Sequence, residues 1–245
     1  ASLVIKEKGI LAGVDVAIKV FHKLDSQLKI DVLIKDGSSV KLGDVVFTVE
    51  GKVQSILQAE RLMLNIMQRM SGVATATNRY VALIEGTGAK VLDTRKTTPG
   101  MRMLEKQAVR LGGGVNHRIG LFDMILLKDN HIDFAGGIES AVRGAKSYLK
   151  EKNKSLKIEV EVRDMDELNE ALSVGGIDRI MLDNFTPDAT REAVAIVKGR
   201  VELESSGGIT SETIRSYAET GVDYISVGAL THSVKGLDMS LVATI

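Results

Sequence analysis

Six short apolar runs, each closing on polar residues, constrain this chain more than any other feature. They fall at 90–93, 124–127, 157–162, 179–183, 200–204 and 223–227, with helical stretches between them. Glu161, Asp183, Ser205 and Ser226 mark the last four ends at intervals of 22, 22 and 21 residues, one strand-and-helix unit each. Apolar strands that alternate with helices build a parallel sheet covered on both faces. A period this regular favours closure into a barrel over an open doubly wound sheet. The helices carry recognisable punctuation. The chain's two prolines follow threonines, Thr98-Pro99 and Thr186-Pro187, which places Thr at the N-cap and Pro at the first helical position. Asp164 and Thr210 are further N-caps, and Gly112, Gly175 and Gly221 sit where helices stop.

The first 53 residues have a different rhythm. Short strand-like runs near 3–5, 28–34 and 45–49 are broken by Gly and Asp-Gly turns, and 14–24 has helical spacing, so this part reads as a small α/β layer. Residues 36–45 resemble the turn of biotinyl and lipoyl carrier domains. No hairpin tip with an exposed lysine is evident, and two turns bracketing strands is the favoured reading. A helix over 55–70 is apolar around most of its circumference, with Arg61 and Arg69 flanking its polar strip. Such a helix belongs between domains or subunits. A second helix is expected over 73–85. The domain division is therefore 1–72 for the small layer and 73–230 for the barrel, with a tail of about 231–245 returning to the first domain.

Composition narrows the function. With 245 residues and 44% hydrophobic content the chain can bury a sizeable core. No run approaches 18 apolar residues, so no membrane span is expected, and a formal net charge of zero argues against bulk nucleic-acid binding. Zero Cys excludes disulfides and thiolate chemistry and suits a cytoplasmic protein. The neutral total hides a dipolar layout. Residues 90–128 hold eight Lys or Arg against three acids, and residues 159–192 hold ten acids against three Arg. Cations at the ends of buried strands indicate an anionic small-molecule site.

In a parallel barrel the chemistry sits at the carboxyl ends of the strands. Those ends carry Asp93, Arg95 and Lys96, then Lys128 to His131, then Glu161, Asp183, Glu204 to Ser206, and Ser226 to Gly228. Ser205-Ser-Gly-Gly-Ile-Thr210 and Ser226-Val-Gly228 offer small residues through which backbone N–H groups approach a phosphate; plain glycine turns are the alternative. Glu161 and Asp183 suit Mg²⁺, sugar hydroxyls or both, against the plainer reading of a structural ion pair with a barrel lysine. His117 and His131 lack metal-ligand spacing.

A phosphate cradle, an acid pair and a cationic cluster suit a phosphorylated sugar and a polyanionic co-substrate. Asp93-Thr-Arg-Lys-Thr-Thr-Pro-Gly100, Gly113-Gly-Val-Asn-His-Arg118 and Leu127-Lys-Asp-Asn-His131 resemble quinolinate phosphoribosyltransferase, the nicotinate-nucleotide pyrophosphorylase (carboxylating) family. Glu60-Arg-Leu-Met-Leu-Asn65, Met70-Ser-Gly-Val-Ala-Thr75, Met181-Leu-Asp-Asn-Phe185 and Glu204-Ser-Ser-Gly-Gly-Ile209 match the same family. The resemblance covers nearly the whole chain. It implies an N-terminal α/β sandwich domain plus a parallel α/β barrel with fewer than eight strands. It also implies transfer of phosphoribosyl from phosphoribosyl pyrophosphate to quinolinate, with decarboxylation, in de novo NAD biosynthesis. On that footing Arg95, Arg118, His117 and Lys128 fix the quinolinate carboxylates. Lys96 stabilises the departing pyrophosphate, and Glu161 and Asp183 hold Mg²⁺ or the ribose. Ser206, Gly207, Gly208 and Gly228 bind the 5′-phosphate, and Arg61 enters the barrel of a dimer partner. The implied assembly is a homodimer with shared active sites, or a hexamer. Family members begin with a helix and an acidic-Leu-Thr-Thr segment ahead of the first strand, and this sequence starts at Ala1 without them. Two rivals are a sister enzyme acting on nicotinate or another pyridine carboxylate, and a non-catalytic phosphoribosyl-ligand sensor.

Overall fold

A computed structural model describes residues 1–244, and the chain divides into two compact units. The first comprises Ala1–Val81, Lys96–Val115 and the chain from Ala229 onward; the second comprises Ala82–Arg95 and Asn116–Gly228.

The first unit opens with β1 (Ser2–Ile5), β2 (Gly9–Ile10), α1 (Val14–Leu24), β3 (Lys29–Val32), β4 (Ser39–Val40) and β5 (Val45–Glu50). A long helix, α2 (Val53–Leu83), begins here, and α3 (Arg102–Leu111) belongs to the same unit. Its antiparallel sheet is completed by the last strand of the chain, β12 (Met239–Val242), in the order β12-β1-β5-β3. Alternation in β1 sends Leu3 and Ile5 into a core with Phe21, Phe47, Met63 and Met67, all fully buried. Phe21 and Phe47 meet edge to face, with ring centroids 6.0 Å apart. The first amides of α1 are capped from a distance: Asp36, in the 36–45 turn region, accepts from the Val14 and Asp15 N–H groups at 2.9 and 3.4 Å.

Two expectations about helices are corrected here. The 55–70 and 73–85 stretches form one continuous helix, α2. Gly72 does not break it because packing holds both halves: a Cβ at Gly72 would collide with the Lys235 carbonyl and come 3.1 Å from Gly236 Cα. Glycine is used there for close approach to the C-terminal tail. Pro99 does not start α3 either. Thr98-Pro99-Gly100 forms a turn, with Met101 N–H donating to Thr98 O at 3.0 Å, and the helix begins at Arg102.

The second unit holds the barrel strands β6 (Lys90–Leu92), β7 (Ile125–Leu127), β8 (Ile158–Val162), β9 (Arg179–Asp183), β10 (Glu202–Ser206) and β11 (Tyr224–Ser226). Between them run α4 (Asp129–Ala135), α5 (Ile138–Glu151), α6 (Met165–Val174), α7 (Pro187–Val197) and α8 (Ile214–Ala218), and the short α9 (Ala229–His232) follows in the first unit. All pairings are parallel, in the order β6-β11-β10-β9-β8-β7. Among the described residues β6 and β7 do not pair, so the ladder is open at that seam. Asp164 and Thr186 cap α6 and α7 by accepting from Glu167 and Ala189 N–H groups. The last barrel helix is shorter than expected: a turn follows Thr210, and α8 starts only at Ile214. No helix among the described residues is long and apolar enough to cross a membrane.

Candidate active site

Parallel barrels usually fill their interior with branched apolar side chains. This unit places charge there. The register sets Glu159 of β8 opposite Arg179 of β9, and Arg179 opposite Glu202 of β10. Glu204 lies two residues further along β10 on the same face, opposite Tyr224 of β11. Arg179 reaches Glu202 and Glu204 at 3.2 and 3.1 Å, and its guanidinium stacks 3.9 Å from the Tyr224 ring centroid. Glu159 and Glu204 are fully buried, and burial of such charges is tolerated only with partners in place.

The second partner is His117, from the loop that leads into β7. Its Nε2 lies 3.0 Å from Glu159 and 3.4 Å from Glu204, and its N–H donates to Asp93 Oδ1 at 2.8 Å. Asn116 Nδ2 donates to Asp93 Oδ2 at 2.6 Å. One residue thus ties together the end of β6, β8 and β10, which requires the sheet to curl around it. Burial lowers the His117 pKa, but the two carboxylates outweigh that and raise it to about 9. Glu159 moves upward because of burial and the neighbouring Glu204. Arg118 N–H donates to His117 Nδ1 at 2.7 Å, which is possible only while that nitrogen carries no proton, so this contact opposes the carboxylates and favours the neutral ring. In the neutral ring that accepts this N–H at Nδ1, the single proton sits on Nε2, facing the two carboxylates.

His117, Glu159 and Glu204 bring three ligand-type atoms within 4.8 Å of one another. They suit a metal poorly, since Nε2 carries a proton and Arg179 already supplies the cation. The expectation that His117 grips substrate also needs restating: both ring nitrogens face groups of the protein itself. Glu159, Arg179 and Glu204 were missed as a unit. Their only signal in sequence is the period-two spacing of Glu159 and Glu161 and of Glu202 and Glu204, which puts each pair on one face of its strand.

Arg118 is buried, and its pKa is lowered first by burial and then by the positive charge of Arg95 nearby. Its Nη1 approaches Met124 O at 3.5 Å. Two guanidiniums, one buried and one exposed, put positive charge where an anion with more than one negative charge could be held. Lys128, at the end of β7, pairs with Glu161 at the mouth of β8, the arrangement set out above as the plainer alternative. Asp183, at the end of β9, accepts from Asn184 Nδ2 at 2.7 Å. Glu161 sits opposite Met181, so Asp183, two residues on, shares its face on the adjacent strand. Each acid is engaged through one named oxygen, Oε2 and Oδ2, so the pair suits a hard cation that keeps several waters.

After β10, Gly207 and Gly208 have φ of +97° and +59°. A Cβ at Gly207 would fall 2.6 Å from Asn184 Cγ, so Gly207 is required by its neighbour, whereas nothing lies within 4 Å of one at Gly208. Among the described residues the N–H groups of Gly207, Gly208 and Ile209 donate to no acceptor. Successive free amides of this kind form an anion-binding nest, and α8 is too remote to add its N-terminus.

Lys96 and Arg61 belong to the first unit, and both are exposed. Thr231 Oγ1 donates to Lys96 O at 2.9 Å. Arg61 makes no hydrogen bond or ion pair among the described residues. Arg69 differs. It bonds Glu105 at 2.9 Å, Thr98 Oγ1 at 3.2 Å and the carbonyls of Thr231 and Val234, all within its own unit.

Residues 1–71 match the family described as quinolinate phosphoribosyl transferase, N-terminal domain, and residues 73–242 match its C-terminal domain. The chloroplastic nicotinate-nucleotide pyrophosphorylase (carboxylating) of Arabidopsis thaliana is 46% identical over 250 residues, covering 96% of this chain and 71% of that protein. Quinolinate phosphoribosyltransferase (decarboxylating) 1b of Nicotiana tabacum is 44% identical over 255 residues, covering 98% and 72%. The solved structure of the nicotinate-nucleotide pyrophosphorylase from Francisella tularensis superposes with a TM-score of 0.92 at 48% identity, covering 98% of this chain and 84% of that one.

Proposed function

We infer the working parts of this protein from one premise: the chain belongs to the quinolinate phosphoribosyltransferase family, over residues 1–71 and 73–242. It is a pentosyltransferase that moves phosphoribosyl from phosphoribosyl pyrophosphate to quinolinate with decarboxylation, in de novo NAD biosynthesis. The observation that supports the residue roles best is Arg118, buried at the loop before β7 and fixed at its N–H by His117 Nδ1 at 2.7 Å, with Arg95 adding positive charge. Quinolinate carries two adjacent carboxylates, and two guanidiniums suit that charge better than they suit the single carboxylate of nicotinate. Lys128 faces the same ligand, and His117 serves it from behind.

The ring nitrogen attacks C1 of the sugar as the bond from C1 to pyrophosphate breaks. No residue has to remove a proton from that nitrogen. Lys96 stabilises the departing negative charge, and the amides after β10, with Ser206 and Gly228, hold the 5′-phosphate. Once the nitrogen is positively charged, the neighbouring carboxylate leaves as CO₂. Its electron pair is held by the ring and taken up by a proton at that carbon. Mg²⁺, when bound, neutralises pyrophosphate charge, and Glu161 and Asp183 are the residues that would hold it or the ribose hydroxyls.

The chain works as a homodimer in this reading, with Arg61 acting in the partner's site. Its exposure without a partner supports this, as do Leu57 and Leu62 on the same helix, 62% and 56% exposed. A cytoplasmic setting suits a chain without cysteine. The test is direct: purified protein with carboxyl-labelled quinolinate, phosphoribosyl pyrophosphate and Mg²⁺ should release labelled CO₂. Omission of phosphoribosyl pyrophosphate should abolish it. Turnover of nicotinate in preference to quinolinate would overturn the substrate assignment, and full activity in EDTA would overturn the Mg²⁺ role.

A further inference from the structure

We propose that Glu159 and Glu204 are positioning residues for substrate recognition, acting on Arg118 through His117. The inference rests on the reading that Arg118 holds a quinolinate carboxylate. The geometry has three steps. Glu159 and Glu204 bracket Nε2 of His117 at 3.0 and 3.4 Å, and Arg179 Nη1 shares the same Glu204 oxygen, Oε2, at 3.1 Å. The Asp93 carboxylate accepts the His117 backbone N–H at 2.8 Å, so ring and backbone are both restrained. Nδ1 of the same ring then accepts the Arg118 N–H at 2.7 Å, which sets where the next side chain leaves the backbone.

A network confined to stability has no reason to be ionic. Burying two carboxylates, an imidazole and a guanidinium in a barrel interior is a poor route to stability compared with branched apolar side chains. It does restrain residues 116–118, which lie outside any strand and follow a single bridged residue, Val115. The segment 116–118 precedes β7 and is tied to Asp93, which follows β6, through the Asn116 side chain and the His117 N–H, and β6 and β7 do not pair with each other among the described residues. A guanidinium that grips a planar carboxylate tolerates little angular error, so loosening His117 should be read out at Arg118 first.

The experiment uses the full-length enzyme and steady-state kinetics in both substrates. Glu204→Gln keeps the shape of the side chain and removes its charge. It should raise the KM for quinolinate by about tenfold while the KM for phosphoribosyl pyrophosphate stays within about twofold, because only one end of the site is disturbed. Glu159→Gln should act in the same direction. In an Arg118→Ala background the Glu204→Gln change should add less than about twofold, since the effect has no other route. A thermal melt confirms that each variant is folded. If Glu204→Gln does not fold, Glu159→Gln and Asp93→Asn carry the same comparison. Equal effects on both substrates, or an undiminished effect in the Arg118→Ala background, would overturn the positioning role. If Arg118→Ala itself leaves the quinolinate KM unchanged, the underlying reading of Arg118 fails, and the two failures are distinguishable.

Discussion

Arg179→Met tests the ionic interior of the barrel. Methionine replaces most of the arginine volume, so little cavity forms and the perturbation is mainly the lost charge. The wild-type side chain bonds Glu202 and Glu204 and stacks on Tyr224, and it is only 8% exposed. Removing one partner of a buried ion pair costs about 3–5 kcal/mol, because it leaves the carboxylates uncompensated. At about 2–4 °C per kcal/mol for a chain of this size, the melting temperature should fall by roughly 6–20 °C near neutral pH. The loss should depend on pH. Burial pushes the Glu204 pKa up, but His117 and then Arg179 outweigh it, so the folded-state pKa lies below the ordinary 4.5. Ionised Glu204 therefore favours the fold above that value, and the contribution is lost as pH falls through the folded-state pKa. Without Arg179 the lowering of Glu204 is weaker, and Glu159, already raised to about 7 by burial and Glu204, loses a group that holds it down, so acid costs the variant less than the wild type. The variant should then gain on the wild type as the solution is acidified from about pH 7 to 5. Differential scanning fluorimetry across that range measures both effects. A melting temperature within about 2 °C of wild type at neutral pH, or a gap that widens in acid, would refute the reasoning.

Other expectations concern the two ends of the site. Asp183→Asn should weaken use of phosphoribosyl pyrophosphate and its Mg²⁺ dependence, whereas Arg118→Ala should cost roughly 2–5 kcal/mol in quinolinate recognition; initial rates in each substrate separate them. Gly208→Asn, which tolerates the left-handed φ of +59° there, should raise the KM for phosphoribosyl pyrophosphate with the fold largely kept. Gly207→Val should instead lower the melting temperature, because its Cβ would meet Asn184. Mixing an Arg61→Ala chain with a Lys128→Ala chain, each inactive alone, should restore activity as subunits exchange, and inactive confirmed heterodimers would place Arg61 outside any shared site.

Much of this fold was legible one residue at a time. Buried parallel strands have to be apolar on both faces, so Ile180-Met-Leu182 and its counterparts announce themselves, and Asp164 and Thr186 announce the helices that follow. Strand-end polarity likewise exposed Lys128, Glu161 and Asp183, because side chains at the end of a buried strand have no apolar use. What only the tertiary structure decided are features in which the meaning of a residue lies in what it meets across the chain. Gly72 and Thr98-Pro99 carry breaker and cap signals, yet packing against the C-terminal tail keeps α2 unbroken and a turn delays α3. His117 looked like a substrate ligand until Glu159 and Glu204, 42 and 87 residues away in sequence, closed on its ring. Local propensity and hydrophobic period are written along the chain and can be read there. The partner of a buried charge is fixed by strand register and sheet curl, and these exist only once distant segments have come together.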